Sequence, residues 1–133
     1  MAITITRNPD YKDLDLDFLV NPGTNDIAKK VGPEAIKRSI RNLVFTSFYD
    51  RPFRSYIGGN TRKMLFEPVT PITAQFLKSA IAETIGNFEP RVSNVDIQIF
   101  TDASYNQFTV RLTYIIINTL VPVTTSLVLN RIR

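Results

Sequence analysis

The chain of 133 residues contains no cysteine, no histidine and no tryptophan. The absence of cysteine excludes disulfide scaffolds, thiolate metal sites and thiol nucleophiles. The absence of histidine removes the Ser-His-Asp triad, the imidazole base and nearly every catalytic zinc site. Glycine is scarce: five residues, scattered, form no loop of the kind that cradles phosphate. No Asn-x-Ser/Thr sequon occurs. Long apolar runs are missing as well. The richest, Tyr114 to Val123, spans ten residues and includes Asn118, Thr119 and Pro122, too short for a membrane-crossing helix. The first residues, Met1 to Arg7, alternate and lack the apolar core of a signal peptide. These absences fit assembly in a reducing cytoplasm, with no membrane partner and no cofactor.

What is present is ordinary for one globular domain: 44% hydrophobic and 21% charged residues. The charge is unevenly placed. Sixteen basic against twelve acidic groups give +4 overall, but Lys29 to Lys63 holds nine basic and two acidic, net +7. Such a stretch is either a solvated cationic face or a surface for an acidic partner, protein or nucleic acid.

Periodicity outlines the fold. Leu14, Leu16 and Phe18 alternate with Asp13, Asp15 and Asp17, which predicts an edge strand or extended arm with one apolar face and exposed aspartates. Pro33 to Thr46 predicts a helix, with Ile36, Ile40, Leu43 and Val44 as its apolar stripe and Lys37, Arg38 and Arg41 outside it. Thr70 and Pro71 open a second helix, with a buried stripe expected at Ile72, Phe76, Leu77, Ala80, Ile81 and Ile85 and an end at Gly86-Asn87. Alternation around Ile97, from Phe108 to Tyr114, and from Val123 to Leu129 predicts three strands. The class is α+β: two main helices packed on a C-terminal antiparallel β-meander, with an extended N-terminal arm.

Three constellations bear on chemistry. Glu34, Glu67, Glu83 and Glu89 are the glutamates from which a glycosidase would need a pair, and nothing in the sequence brings two of them together. Phe45, Phe48, Tyr49, Phe53 and Tyr56 interleave with Arg51 and Arg54. That mixture can stack single-stranded bases, but the favoured expectation is a plug at one end of the core. Asn87-Phe88-Glu89-Pro90-Arg91 stops a helix at a proline flanked by an acid and a base. It is either an internal pin, Glu89 with Arg91 or Arg51, or a rigid fork for another chain.

Arg51-Pro52-Phe53, Gly58, Leu65-Phe66-Glu67, Pro71 at a helix start and Asn87 to Arg91 before a β-rich tail occur in that order. The ordered set resembles the baseplate wedge family of contractile phage tails, which initiates the sheath, is often labelled lysozyme-like and has type VI secretion counterparts. The likeness runs from about residue 33 to the C-terminus. It implies an N-terminal arm, 1–32, and a sheath-initiator domain, 33–133. It further implies a non-enzymatic structural protein of the virion, six copies around the tail axis, near tube and hub. Glu89, Pro90 and Arg91, with Arg51, Pro52 and Phe53, would meet the helical core bundle of the wedge proteins, and Lys37, Arg38 and Arg41 an acidic neighbour. Val123, Thr124, Thr125, Ser126, Leu127, Val128 and Leu129 would exchange strands with the tail sheath protein. The competing readings are a peptidoglycan hydrolase and a nucleic-acid-binding module.

Overall fold

The computed structural model describes residues 10–132. Four short strands come first: β1 (Lys12–Leu14), β2 (Val20–Asn21), β3 (Asp26–Ile27) and β4 (Lys29–Val31). They form two small antiparallel ladders, β1 with β4 and β2 with β3. Then follow α1 (Pro33–Phe45), α2 (Thr61–Met64) and α3 (Pro71–Phe88), and an antiparallel sheet of β5 (Val92–Asp102), β6 (Gln107–Ile116) and β7 (Pro122–Asn130) in that spatial order. Among the described residues no helix is long and apolar enough to cross a membrane.

Local chemistry explains the helix starts. Gly32 turns the chain at φ +63°, and Pro33 and Glu34 occupy the first turn of α1. The Thr70 hydroxyl caps α3 by accepting from the Thr73 N–H, with Pro71 behind it. α3 does not stop at Gly86-Asn87. It runs on to Phe88, and the Glu89 N–H still reaches the Ile85 carbonyl at 2.9 Å. Pro90, rather than the glycine, sets the end, because it cannot donate the next helical bond.

One face of the sheet is covered: α3 lies against β5, α1 against β7, and the two helices against each other. Ile36, Ile40 and Val44 of α1 meet Leu77, Ile81 and Ile85 of α3 over Phe108, Val110, Leu112, Tyr114, Leu127 and Leu129. Each fully buried side chain of this kind contributes roughly 1.5–3 kcal/mol. The alternation read for β6 and β7 holds, since Thr125, Leu127 and Leu129 are buried while Thr124, Ser126 and Val128 are exposed. The stripe expected on α3 is half wrong. Ile72 and Phe76 are 70% and 62% exposed, and Thr73 and Thr84 take their place beside Leu77, Ile81 and Ile85. Ile72 and Phe76 lie on the side of α3 that also carries Ser79, Glu83 and Asn87, so counting every large apolar residue widened the stripe beyond the face that packs.

The N-terminal alternation is inverted. Asp15 is buried, whereas Leu14, Leu16, Phe18, Leu19 and Val20 are each at least half exposed. The reason is electrostatic. Asp15 faces Lys30 of β4 at 3.4 Å and Arg38 of α1 at 3.7 Å, and Arg38 also bonds Asp17 at 2.5 Å. Asp15 turns inward to the cations, Asp17 stays exposed as expected, and the apolar side chains are left outside.

Candidate functional site

Four features could meet another molecule. The first is the corner after α3. Glu89 sits at its end, and Arg91 just before β5, so Pro90 holds the two at a fixed spacing. Arg91 donates to Glu89 twice, Nε to Oε1 at 2.6 Å and Nη2 to Oε2 at 2.9 Å. Its Nη1 reaches both oxygens of Asp13 in β1, at 3.0 and 3.1 Å, and its guanidinium lies over the Tyr11 ring. Ser39 of α1 donates to the second oxygen of Glu89 at 2.5 Å. Burial pushes the Glu89 carboxyl up, but the hydrogen bonds from Arg91 and Ser39 outweigh it and hold the pKa below the ordinary value. The bonds to Glu89 and then to Asp13 raise the pKa of Arg91 against the opposing effect of burial. Within the chain the fork is therefore an internal pin made with Arg91. No side-chain bond among the described residues joins Glu89 to Arg51. Ser39, Tyr11 and Asp13 carried no signal in the sequence, for Asp13 is 78 residues from Arg91.

The second is the outer side of α1. Lys37 and Arg41 are exposed, and Arg38 is partly covered by its ties to Asp15 and Asp17. Arg38 in turn holds the Asp17 carboxyl below its usual range. Lys30, Glu34, Lys37, Arg38 and Arg41 line one shallow cleft of about 220 Å³.

The third is the loop between α1 and α2. The aromatics expected to plug the core point outward: Phe53 is fully exposed, Tyr49 is 84% and Tyr56 63% exposed. The loop is ordered by its own bonds, the Tyr49 N–H to the Ser55 carbonyl and the Ser47 N–H to the Asp50 carboxylate. Tyr49 and Phe53 both adopt positive φ, 71° and 64°. Gly59 seats the loop on α3, because a Cβ there would run into the Thr84 side chain. Arg51, Pro52 and Phe53 thus stand exposed in this loop.

The fourth is the outer edge of β7. Pairing with β6 is unbroken from Gln107–Asn130 to Ile115–Pro122. At one end the Arg131 N–H donates to the Asn106 carbonyl; at the other the Ile116 N–H donates to the Val121 carbonyl. Each bond lies one step outside an end pair, so both end pairs are of the non-hydrogen-bonded kind. Alternation then directs the N–H and C=O groups of Thr124, Ser126, Val128 and Asn130 away from β6. Among the described residues no strand meets them, since β7 ends the sheet.

These features have relatives. The sequence model of the baseplate wedge protein gp25 family matches residues 30–120. Baseplate wedge protein gp25 of Enterobacteria phage T4 is 28% identical over 89 residues, 67% of each chain. In fold, a crystal structure described as a tail lysozyme from Geobacter sulfurreducens is similar with TM-score 0.69 at 18% identity, over 75% of this chain and 91% of that one. A chain of the six-fold symmetrised baseplate of the anti-feeding prophage is similar with TM-score 0.58 at 21% identity, over 93% of this chain and 88% of that one. With a family model covering well over half its length, the chain belongs to the baseplate wedge protein gp25 family of contractile tail baseplates.

Proposed function

We propose that this baseplate protein nucleates the contractile sheath by accepting a sheath strand at β7 while α1, the Glu89–Arg91 corner and the Arg51–Phe53 loop hold it to neighbouring wedge proteins. The observation that carries the reading is the free edge, with the backbone groups of Thr124, Ser126, Val128 and Asn130 directed outward. Strand addition satisfies those groups and needs no side-chain motif on the receiving strand. Exposed polar side chains at Thr124, Ser126 and Asn130 keep such an edge soluble until it is covered. The exposed Phe53 and Tyr49, flanked by Arg51 and Arg54, have the composition of protein-interface anchors. The wedge core bundle is their partner in this reading, and an acidic neighbour that of Lys37, Arg38 and Arg41. Six copies surround the tail axis.

The hydrolase reading finds no support at the residues. Glu89 is the buried member of the four glutamates, and Arg91 keeps it ionised, the opposite of what a general acid requires. Among the described residues no cluster of carboxylates could hold a metal.

Ser126→Pro tests the proposal. Proline removes an outward donor and obstructs pairing at the edge, while the bonds to β6 made by Thr125 and Leu127 survive. Baseplates should form with the variant incorporated and carry no sheath. Sheath of normal length on those baseplates would remove strand addition from the account.

A further inference from the structure

Beside the free edge of β7 lies a cavity of about 310 Å³, walled by Val44 and Phe45 at the end of α1, Thr61, Arg62 and Leu65 of the α2 region, and Val128, Asn130 and Ile132. Its walls are mainly apolar. Phe45 is 45% exposed at its rim. One end is closed where the Ile132 N–H donates to the Leu65 carbonyl at 2.8 Å. Thr61 is 2% exposed there, and its buried hydroxyl has no hydrogen-bond partner among the described residues. A buried hydroxyl left without a partner has lost its bonds to water unrecovered, so a group that bonds it there is favoured.

The geometry points to a side-chain receptor, and we infer that this cavity takes one large apolar side chain from the strand that adds to β7. The inference rests on the strand-addition reading and gives that strand a sequence requirement. A strand paired to the edge lies about 4.8 Å from β7. Residues directly opposite one another in a ladder share a face. Leu127 and Leu129 point to the helix-covered face, where α1 and α2 wall the cavity. The residue of the incoming strand opposite Leu129, between Val128 and Asn130, therefore points into it. Leu, Ile or Phe fits the walls there; a charged residue would be desolvated without a counter-ion. The Thr61 hydroxyl is placed to bond the main chain of the same segment. The main-chain ladder supplies affinity, and this one site supplies register and discrimination between segments.

The chain has no cysteine, so a single introduced thiol is a unique label. Arg62→Cys, at the cavity rim, carries benzophenone-maleimide into assembled tails; Glu83→Cys on the exposed side of α3 is the control. Illumination should join the Arg62→Cys label, and not the control, to an apolar position of a sheath subunit. In parallel, Thr61→Leu fills the cavity and Thr61→Val exchanges only the hydroxyl for a methyl. With melting of the isolated protein unchanged, Thr61→Leu should lower the fraction of sheathed baseplates about ten-fold, the equivalent of overfilling a site by ~1.4 kcal/mol. Thr61→Val should lower it less. If Thr61→Leu unfolds the domain, the crosslink decides alone. Normal sheath on folded Thr61→Leu, while Ser126→Pro blocks it, overturns the receptor and leaves strand addition standing. Normal sheath on both overturns both. A dimer of the isolated chain that Ser126→Pro dissolves would assign the edge to a second copy and overturn the inference as well.

Discussion

Arg91 grips Glu89, two residues before it, through two parallel hydrogen bonds across Pro90, and the same guanidinium reaches Asp13 in the N-terminal ladder. One side chain thus ties the end of α3, the start of β5 and β1 together, with Ser39 adding α1 through Glu89. Glu89 and Arg91, which the family resemblance assigns to docking, are thus also a structural joint. A docking role and a folding role must therefore be separated by experiment.

Arg91→Ala removes the cation and leaves Glu89 buried without its ion partner. Losing one member of a buried pair costs about 3–5 kcal/mol. We expect urea unfolding of the isolated protein to show a loss near the low end of that range, because Ser39 still donates to Glu89 and the Arg91 side chain is 21% exposed. Glu89→Gln should cost less, since the amide keeps an acceptor for Arg91 and buries no charge. Equal, negligible losses for the two variants would show that the pin does not stabilise the fold.

The Glu89 carboxyl has a pKa below its ordinary value of 4.5 in the folded protein. Its stabilisation is therefore present above about pH 4.5 and is lost as pH falls through the lower folded value. Thermal melts of the wild-type protein should decline over that acid range. Glu89→Gln has no carboxyl to protonate, so its melting temperature should fall less steeply there. Parallel curves for the two proteins would assign the acid sensitivity to other carboxylates.

Arg38 is committed to Asp15 and Asp17, so reversing its charge would set three acids together and unsettle the N-terminal ladder. Lys37 and Arg41 are exposed and form no ion pair among the described residues. The double reversal Lys37→Glu with Arg41→Glu should leave stability within about 0.5 kcal/mol of wild type. Incorporation into baseplates should fall at low salt, and the difference from wild type should shrink as ionic strength rises and screening shortens the range. Undiminished incorporation at low salt would return both residues to a solvated face.

The sequence alone determined the elements in which one face is apolar and the other polar. In α1, β6 and β7 the spacing of apolar residues names both the element and its buried side, because solvent and core make opposite demands on alternate positions. The motif order from Arg51 to Arg91 was legible too, as was the loss of histidine and cysteine chemistry. Tertiary structure decided the rest. α3 carries Ile72 and Phe76 beside Ser79 and Glu83 on its outer side, and packing on β5 and α1 selected Leu77, Ile81 and Ile85 while leaving those two in solvent. In the N-terminal ladder the alternation was visible but its direction was not. Lys30 and Arg38 drew Asp15 inward and set Leu14, Leu16 and Phe18 in solvent. Asp13 meets Arg91 across 78 residues. No local pattern encodes such a contact, because the energy that fixes it exists only once the two segments are side by side.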